Sequence, residues 1–207
     1  MTHLLLETSG HGGLVGLVRD HAVVQAAALD ESRRHARDLA ETVRQLCTAE
    51  RITPKSIASV VVSLGPGSYT GLRVGLASAK AFAYAVGCPL VAVPTFSAII
   101  EDACKTLSVA DIAADALQGA IYLQRFHVVD YEWQPADILR IVEAKSHTLV
   151  NGVHDARPTL SGLWWASLKV TPLTREAFFN IEPLYLRGSS AEEKRSAQSL
   201  VKASIAS

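Results

Sequence analysis

Two clusters in this chain carry residue types that can do chemistry. Glu7, Thr8 and Ser9 follow a short apolar run, so a carboxylate and two hydroxyls sit where a strand meets a turn. That position suits metal or phosphate contact, but the residues favour a polar loop held by the Thr8 and Ser9 hydroxyls. Gly65, Pro66, Gly67 and Ser68 follow a second apolar run and precede a helix. Free N–H groups at a helix start attract anions, and glycines let the backbone come close. Glu7, Thr8, Ser9, Gly65, Gly67 and Ser68 together are the candidate phosphate-contacting loop. The cluster has neither the lysine of GxxxxGK[ST] nor a GxGxxG with a ribose-binding acid, so the residues favour a structural turn. Ser68 lacks the GxSxG elbow of a hydrolase nucleophile. The seven histidines form no HxxxH or HExxH pair, so no metal site is expected.

The elements that must position these groups follow from periodicity. Apolar runs at 4–6, 14–18, 23–28, 60–62 and 90–93 predict strands, with Arg19, Asp20 and His21 as a hairpin turn. Helices are expected over 31–48, 71–86 and 96–107. Asp30 caps the first, Ser68 or Thr70 the second, and Gly87 ends the second. Three hairpin-linked strands followed by alternating helices imply an α/β fold with a mixed sheet. Beyond these, strands are expected at 111–116 and 120–129, a helix at 135–144 and a strand at 148–150. Residues 163–170 read as a strand or short helix, with Trp164 and Trp165 as packing, and 189–207 as a frayed helical tail.

The helix at 71–86 has two faces. Leu72, Leu76, Ala79, Ala83 and Val86 recur at core spacing. Gly71, Gly75, Ser78, Ala79 and Phe82 form a second stripe of mostly small residues. Two glycines inside a helix cost about 1 kcal/mol each, and close approach of another backbone is the usual compensation. The approaching element is a helix of this chain or of another subunit. Taken with Leu39 and Val43 of the preceding helix, and His35 near its arginine-rich start, this stripe is the expected partner interface. On that reading Gly75→Leu blocks association and leaves the monomer folded.

Composition narrows the classes. Of 207 residues, 49% are hydrophobic and 19% charged, which supports a large core. Net charge is zero, so no basic field holds RNA unaided. Cys47, Cys88 and Cys104 show no CxxC spacing, which points to reduced, buried thiols and a cytoplasmic location. The chain opens on a strand-like run, so no signal peptide is expected, and no apolar stretch is long enough to span a membrane.

The segment GPGSYTGLRVGLASAKAFA, 65–83, closely resembles the signature of the TsaB (YeaZ) family. This family is the glycoprotease-like (Gcp-like) branch of the ASKHA (actin/Hsp70, ribonuclease H-like) superfamily. LLLETS at 4–9, RRHARDL at 33–39, PLVAVPTF at 89–96, DALQGAIY at 115–122 and PLYLR at 183–187 agree with it. The resemblance implies a two-lobed α/β fold with mixed sheets flanked by helices. Residues 1–105 then form a lobe carrying dimerisation helices, and 106–207 a smaller lobe and tail. Glu7 stands where the family usually has Asp, and Leu117 where it usually has Arg.

The resemblance also implies a role. Catalytic TsaD-like relatives transfer a threonylcarbamoyl group to adenosine 37 of tRNA and carry an HxxxH metal pair. Thr95 and Ile99 stand at those positions here, and neither replaces an imidazole ligand. The expected function is therefore a non-catalytic subunit that binds and stabilises the TsaD-like catalytic subunit. A TsaE-like ATPase completes the assembly, tRNA is met only through the complex, and a homodimer forms when the chain is alone. No cofactor is expected on the isolated chain, and a nucleotide only at a subunit interface. The alternatives are an ATP-dependent carbamoyltransferase or peptidase acting alone, and a free-standing nucleotide-binding protein.

Overall fold

The computed structural model describes residues 1–10, 12–29, 35–103, 106–154 and 157–186. Two sheets organise it. The first contains β1 (Thr2–Glu7), β2 (Leu14–Arg19), β3 (Ala22–Ala28), β4 (Ile57–Gly65) and β5 (Leu90–Pro94), in the order β3-β2-β1-β4-β5. β1, β4 and β5 run parallel, and β2 and β3 are antiparallel additions. The parallel strands are apolar on both faces because helices cover both. Leu4, Leu6, Val60 and Val62 face α1 (His35–Ala49) and α2 (Tyr69–Val86). Leu5, Val61, Val91 and Val93 face α3 (Thr95–Ala103) and α4 (Leu160–Ser167). The β2–β3 turn is a two-residue hairpin with Asp20 and His21 at φ 51° and 65°, as the sequence predicts.

The second sheet holds β6 (Val109–Asp115), β7 (Ala120–Val129), β8 (Glu132–Pro135) and β9 (Arg140–Glu143). β7 is central, pairing with β6 on one edge and with β8 and β9 on the other. The predicted helix at 135–144 is thus replaced by two short strands. β7 is long enough that its outer edge leaves backbone groups needing partners, and that demand overrides the local helix signal. The expected strand at 148–150 is irregular chain, although the Val150 carbonyl accepts the Asp111 N–H at 3.0 Å. The third helix extends only over Thr95–Ala103 as described, short of the predicted 107. Asp30, the start of the first helix before His35, Cys104 and the tail from 187 lie outside the described residues.

The first sheet also recruits chain from beyond residue 105. α4 packs Leu160, Leu163 and Trp164 on its rear face, so the stretch from Leu163 to Ser167 is helix rather than strand, and Trp164 is packing while Trp165 is 44% exposed. Gly162 meets α3 so closely that an added Cβ would lie 2.1 Å from the Ala98 carbonyl oxygen. Thr159 caps α4 by accepting the Gly162 N–H at 3.0 Å. After α4, residues 171–186 run back as a strap that includes α5 (Ala177–Asn180). The strap donates Leu173 N–H to the Leu90 carbonyl and Leu184 N–H to the Leu64 carbonyl, and it buries Phe178. Lys80 of α2 ties it down, its Nζ donating to the carbonyls of Phe179 at 3.0 Å and Ile181 at 2.6 Å.

Two modest effects follow. Thr159→Ala removes the α4 cap and lowers stability by about 1 kcal/mol in urea titrations. Lys80→Met keeps the aliphatic stem on the surface but removes both hydrogen bonds. Limited proteolysis within 171–186 then accelerates, while cleavage elsewhere stays unchanged.

Candidate functional site

The two sequence clusters meet at one junction. β1 ends in Glu7 and delivers Thr8 and Ser9 against the turn that joins β4 to α2. Ser68 caps α2 by accepting the Gly71 N–H at 3.3 Å. Its own N–H donates to the Ser9 carbonyl at 2.7 Å. The Gly65 N–H donates to Thr95 Oγ1 at 3.1 Å. The turn is covered from outside by the strap, since a Cβ on Gly65 would lie 3.1 Å from the Leu184 carbonyl oxygen. Tyr185 lies against Tyr69, ring centres 4.9 Å apart. The N–H groups of Gly65, Ser68 and Gly71 are therefore bonded from within. All six residues of the predicted phosphate loop come together, and the Ser68 N–H is held by the Ser9 carbonyl.

Glu7 is buried, 3% exposed. Its Oε1 accepts from the Ser9 N–H at 2.6 Å and the Ser9 hydroxyl at 2.5 Å. Its Oε2 and the Thr8 Oγ1 have no hydrogen-bond partner among the described residues. Burial pushes the Glu7 carboxyl up to about 7, against the pull of the two Ser9 hydrogen bonds and a weaker one from the Ser63 hydroxyl. A sealed carboxyl of this kind is a poor neighbour for a phosphate.

The glycine stripe is likewise an internal device. A Cβ on Gly71 would lie 2.0 Å from the Thr8 carbonyl oxygen, and one on Gly75 would lie 2.0 Å from Thr8 Oγ1. The close approach that the stripe predicts is real, but the approaching backbone is the β1–β2 loop of the same chain. Gly71, Gly75 and Ala79 are buried, and Leu39 and Val43 are spent on the core beneath α1. Ser78 is half-buried, and Phe82 packs partly against that core. The His35 side chain lies outside the described residues. As a correction, then, the outward face of α2 carries Arg73, Ala77, Ala81 and Tyr84, and that of α1 carries Glu41, Arg44 and Gln45.

Sequence reasoning missed one cluster. Asp111, 1% exposed on β6, binds Arg125 Nε at 2.7 Å and Nη2 at 2.9 Å, and accepts the Val150 N–H at 2.8 Å. An acidic residue inside an apolar strand is the signal that could have found it. Among the described residues no group of three or more His, Cys, Asp or Glu side chains is arranged to hold a metal. No helix there is long and apolar enough to cross a membrane.

The sequence model of the family described as TsaD, tRNA N6-adenosine threonylcarbamoyltransferase, matches residues 29–141, more than half of the chain. The chain belongs to the TsaD-like family. Within it, the likeness is to the TsaB (YeaZ) branch. An uncharacterized protein of Mycobacterium tuberculosis (strain H37Rv) is 30% identical over 92% of this chain and 94% of its own length. The tRNA threonylcarbamoyladenosine biosynthesis protein TsaB of Bacillus subtilis is 25% identical over 75% of this chain and 72% of its own. YeaZ from Pseudomonas aeruginosa superposes with a TM-score of 0.74 at 19% identity, covering 89% of this chain and 99% of that one. The fold is thus the two-sheet α/β fold of YeaZ.

Where TsaD-like relatives are expected to carry the histidine pair, this chain places Thr95 and Ile99 on one face of α3. Both are buried, 3% exposed each. The Thr95 hydroxyl is occupied by the Gly65 N–H, and Ile99 packs against the second sheet. A cleft of about 190 Å³ nearby, lined by Pro94, Ile100, Phe126, Trp133 and Val170 among others, is below the usual range for ligand pockets.

Proposed function

We propose that this chain is a non-catalytic subunit of the tRNA N6-threonylcarbamoyladenosine modification machinery, one that binds and stabilises a TsaD-like catalytic subunit. The observation that carries the reading is the pair Thr95 and Ile99. Both are buried in packing at the positions where the catalytic relatives are expected to present metal ligands. The TsaB relatives, named for biosynthesis of the same modified nucleoside, support it. The partner surface is the outward face of α1 and α2, where Ala77 and Ala81 leave a facing helix room to approach and Arg73 and Tyr84 flank them. The same face makes a homodimer when the catalytic subunit is absent. A TsaE-like ATPase joins the assembly, and tRNA is met only through it. Free Cys47 and Cys88 suit a reducing cytoplasm.

Co-purification with the organism's TsaD-like protein tests this, followed by reconstituted modification of tRNA. The expected results are a stable complex and transfer activity that needs both subunits. Ala81→Arg abolishes complex formation without lowering the melting temperature of the isolated chain. Failure to bind, or transfer by this chain alone, overturns the reading. Because the N–H groups of Gly65, Ser68 and Gly71 are bonded within the chain and no lysine accompanies the turn, nucleotide binds only at a subunit interface. Calorimetry of the isolated chain with ATP shows no micromolar binding, and tight binding there contradicts the proposal.

A further inference from the structure

Glu7 is the one deeply buried carboxyl in the first sheet that lacks a counter-charge. The side chains that face it are Ser9 from the loop, Ser63 from β4 and Leu14, its register partner on β2. α2 meets the junction through Gly71 and Gly75, and α3 through Thr95. No charged side chain among the described residues acts on it. His11, in the same loop, lies outside the described residues. Oε1 already accepts two hydrogen bonds, so Oε2 is the oxygen that takes the proton in the neutral acid. With only the Ser63 hydroxyl near it, a neutral Oε2–H costs far less in this surround than an ionised oxygen.

The position of this carboxyl links it to α2. Ser9 is held to Glu7 by both its N–H and its hydroxyl, and the Ser9 carbonyl in turn holds the N–H of Ser68, the cap of α2. Gly67 packs on the Ser9 backbone, where a Cβ would lie 2.3 Å from the carbonyl oxygen. Any movement that hydrates Glu7 must therefore shift Ser9 and disturb the start of α2. We propose that Glu7 is a proton-operated latch: as the neutral acid it packs inside and holds the β1–β2 loop on the start of α2, and as a carboxylate it draws water in and frees that junction. The folded carboxyl titrates near 7 against 4.5 when solvated, so the closed junction is fully stabilised below about 4.5 and loses that advantage as pH rises through 7.

Hydrogen exchange of the full chain at about pH 6 and pH 8.5, normalised to intrinsic rates, tests the latch. Linkage predicts a roughly tenfold loss of protection across that interval. The loss falls in peptides covering 8–13 and 66–72, and β5 is unchanged. Glu7→Gln keeps its protection at both pH values, and His11→Gln loses it as the wild type does. Should Glu7→Gln fail to accumulate, Glu7→Met carries the same expectation, being uncharged throughout. Constant protection in the wild type, an equal loss in an uncharged Glu7 variant, or disappearance of the loss in His11→Gln overturns the proposal.

Discussion

Gly75→Ala lowers the stability of the folded chain by about 2 kcal/mol, and Gly75→Leu leaves it unfolded at physiological temperature. The new Cβ would lie 2.0 Å from Thr8 Oγ1 and 3.2 Å from Thr8 Cβ, in a buried seam between α2 and the β1–β2 loop. Overpacking against the buried, β-branched Thr8 side chain falls at the upper end of a range of roughly 1–3 kcal/mol. Alanine's better helix propensity returns only about 1 kcal/mol. A leucine adds three more carbons with nowhere to go. Urea unfolding followed by circular dichroism reads both. The contact also predicts a specific rescue. Thr8→Ala removes the clashing hydroxyl, which has no hydrogen-bond partner among the described residues, and restores most of the loss in Gly75→Ala. The same change does not rescue Gly71→Ala, whose Cβ meets the Thr8 carbonyl oxygen, a group no substitution trims. A Gly75→Leu chain that melts like the wild type would return the stripe to the role of an intersubunit surface.

Asp111→Ala destabilises the second sheet by about 2 kcal/mol, because it leaves the Val150 N–H without its acceptor and removes both hydrogen bonds of Arg125. The Arg125 hydrogen bonds hold the Asp111 carboxyl below the usual carboxylate range, with burial opposing and the Val150 N–H assisting. The unfolded carboxyl takes up its proton near 3.8, above the folded one. The contribution is thus fully present above that value and is lost as pH falls through the lower, folded one. Asp111→Asn is accordingly less stable than the wild type at neutral pH, and the gap closes below about pH 4. Urea midpoints measured across that acid range check it. A gap that stays constant with pH assigns the site to shape rather than charge. Since Arg125 is 41% exposed, the loss of the ion pair alone is smaller than the loss of the whole carboxylate.

The N-terminal half was legible in the sequence because its signals are local. Continuous apolar runs such as 60–62 read as strands buried on both faces, and Asp20 and His21 between two runs read as a hairpin. Ser68 and Gly87 bracket α2 as capping chemistry requires, the latter at φ 80°. The residues of the junction were legible as types, and the glycine stripe correctly announced a close approach. What approaches was not legible. The loop that fills the seam lies more than sixty residues from Gly75 along the chain, and spacing within one helix carries no information about so distant a partner. The same limit explains the helix expected at 135–144. Local propensity favoured it, but the unpaired edge of β7 drew that segment into β8 and β9. The return of α4 and the strap to the first sheet is of the same kind. Leu163, Trp164 and Phe178 are apolar enough to be buried anywhere, and only the assembled sheet and α2 decide where. The raised proton affinity of Glu7 comes from tertiary structure as well, since a carboxyl is an ordinary acid until packing removes its water.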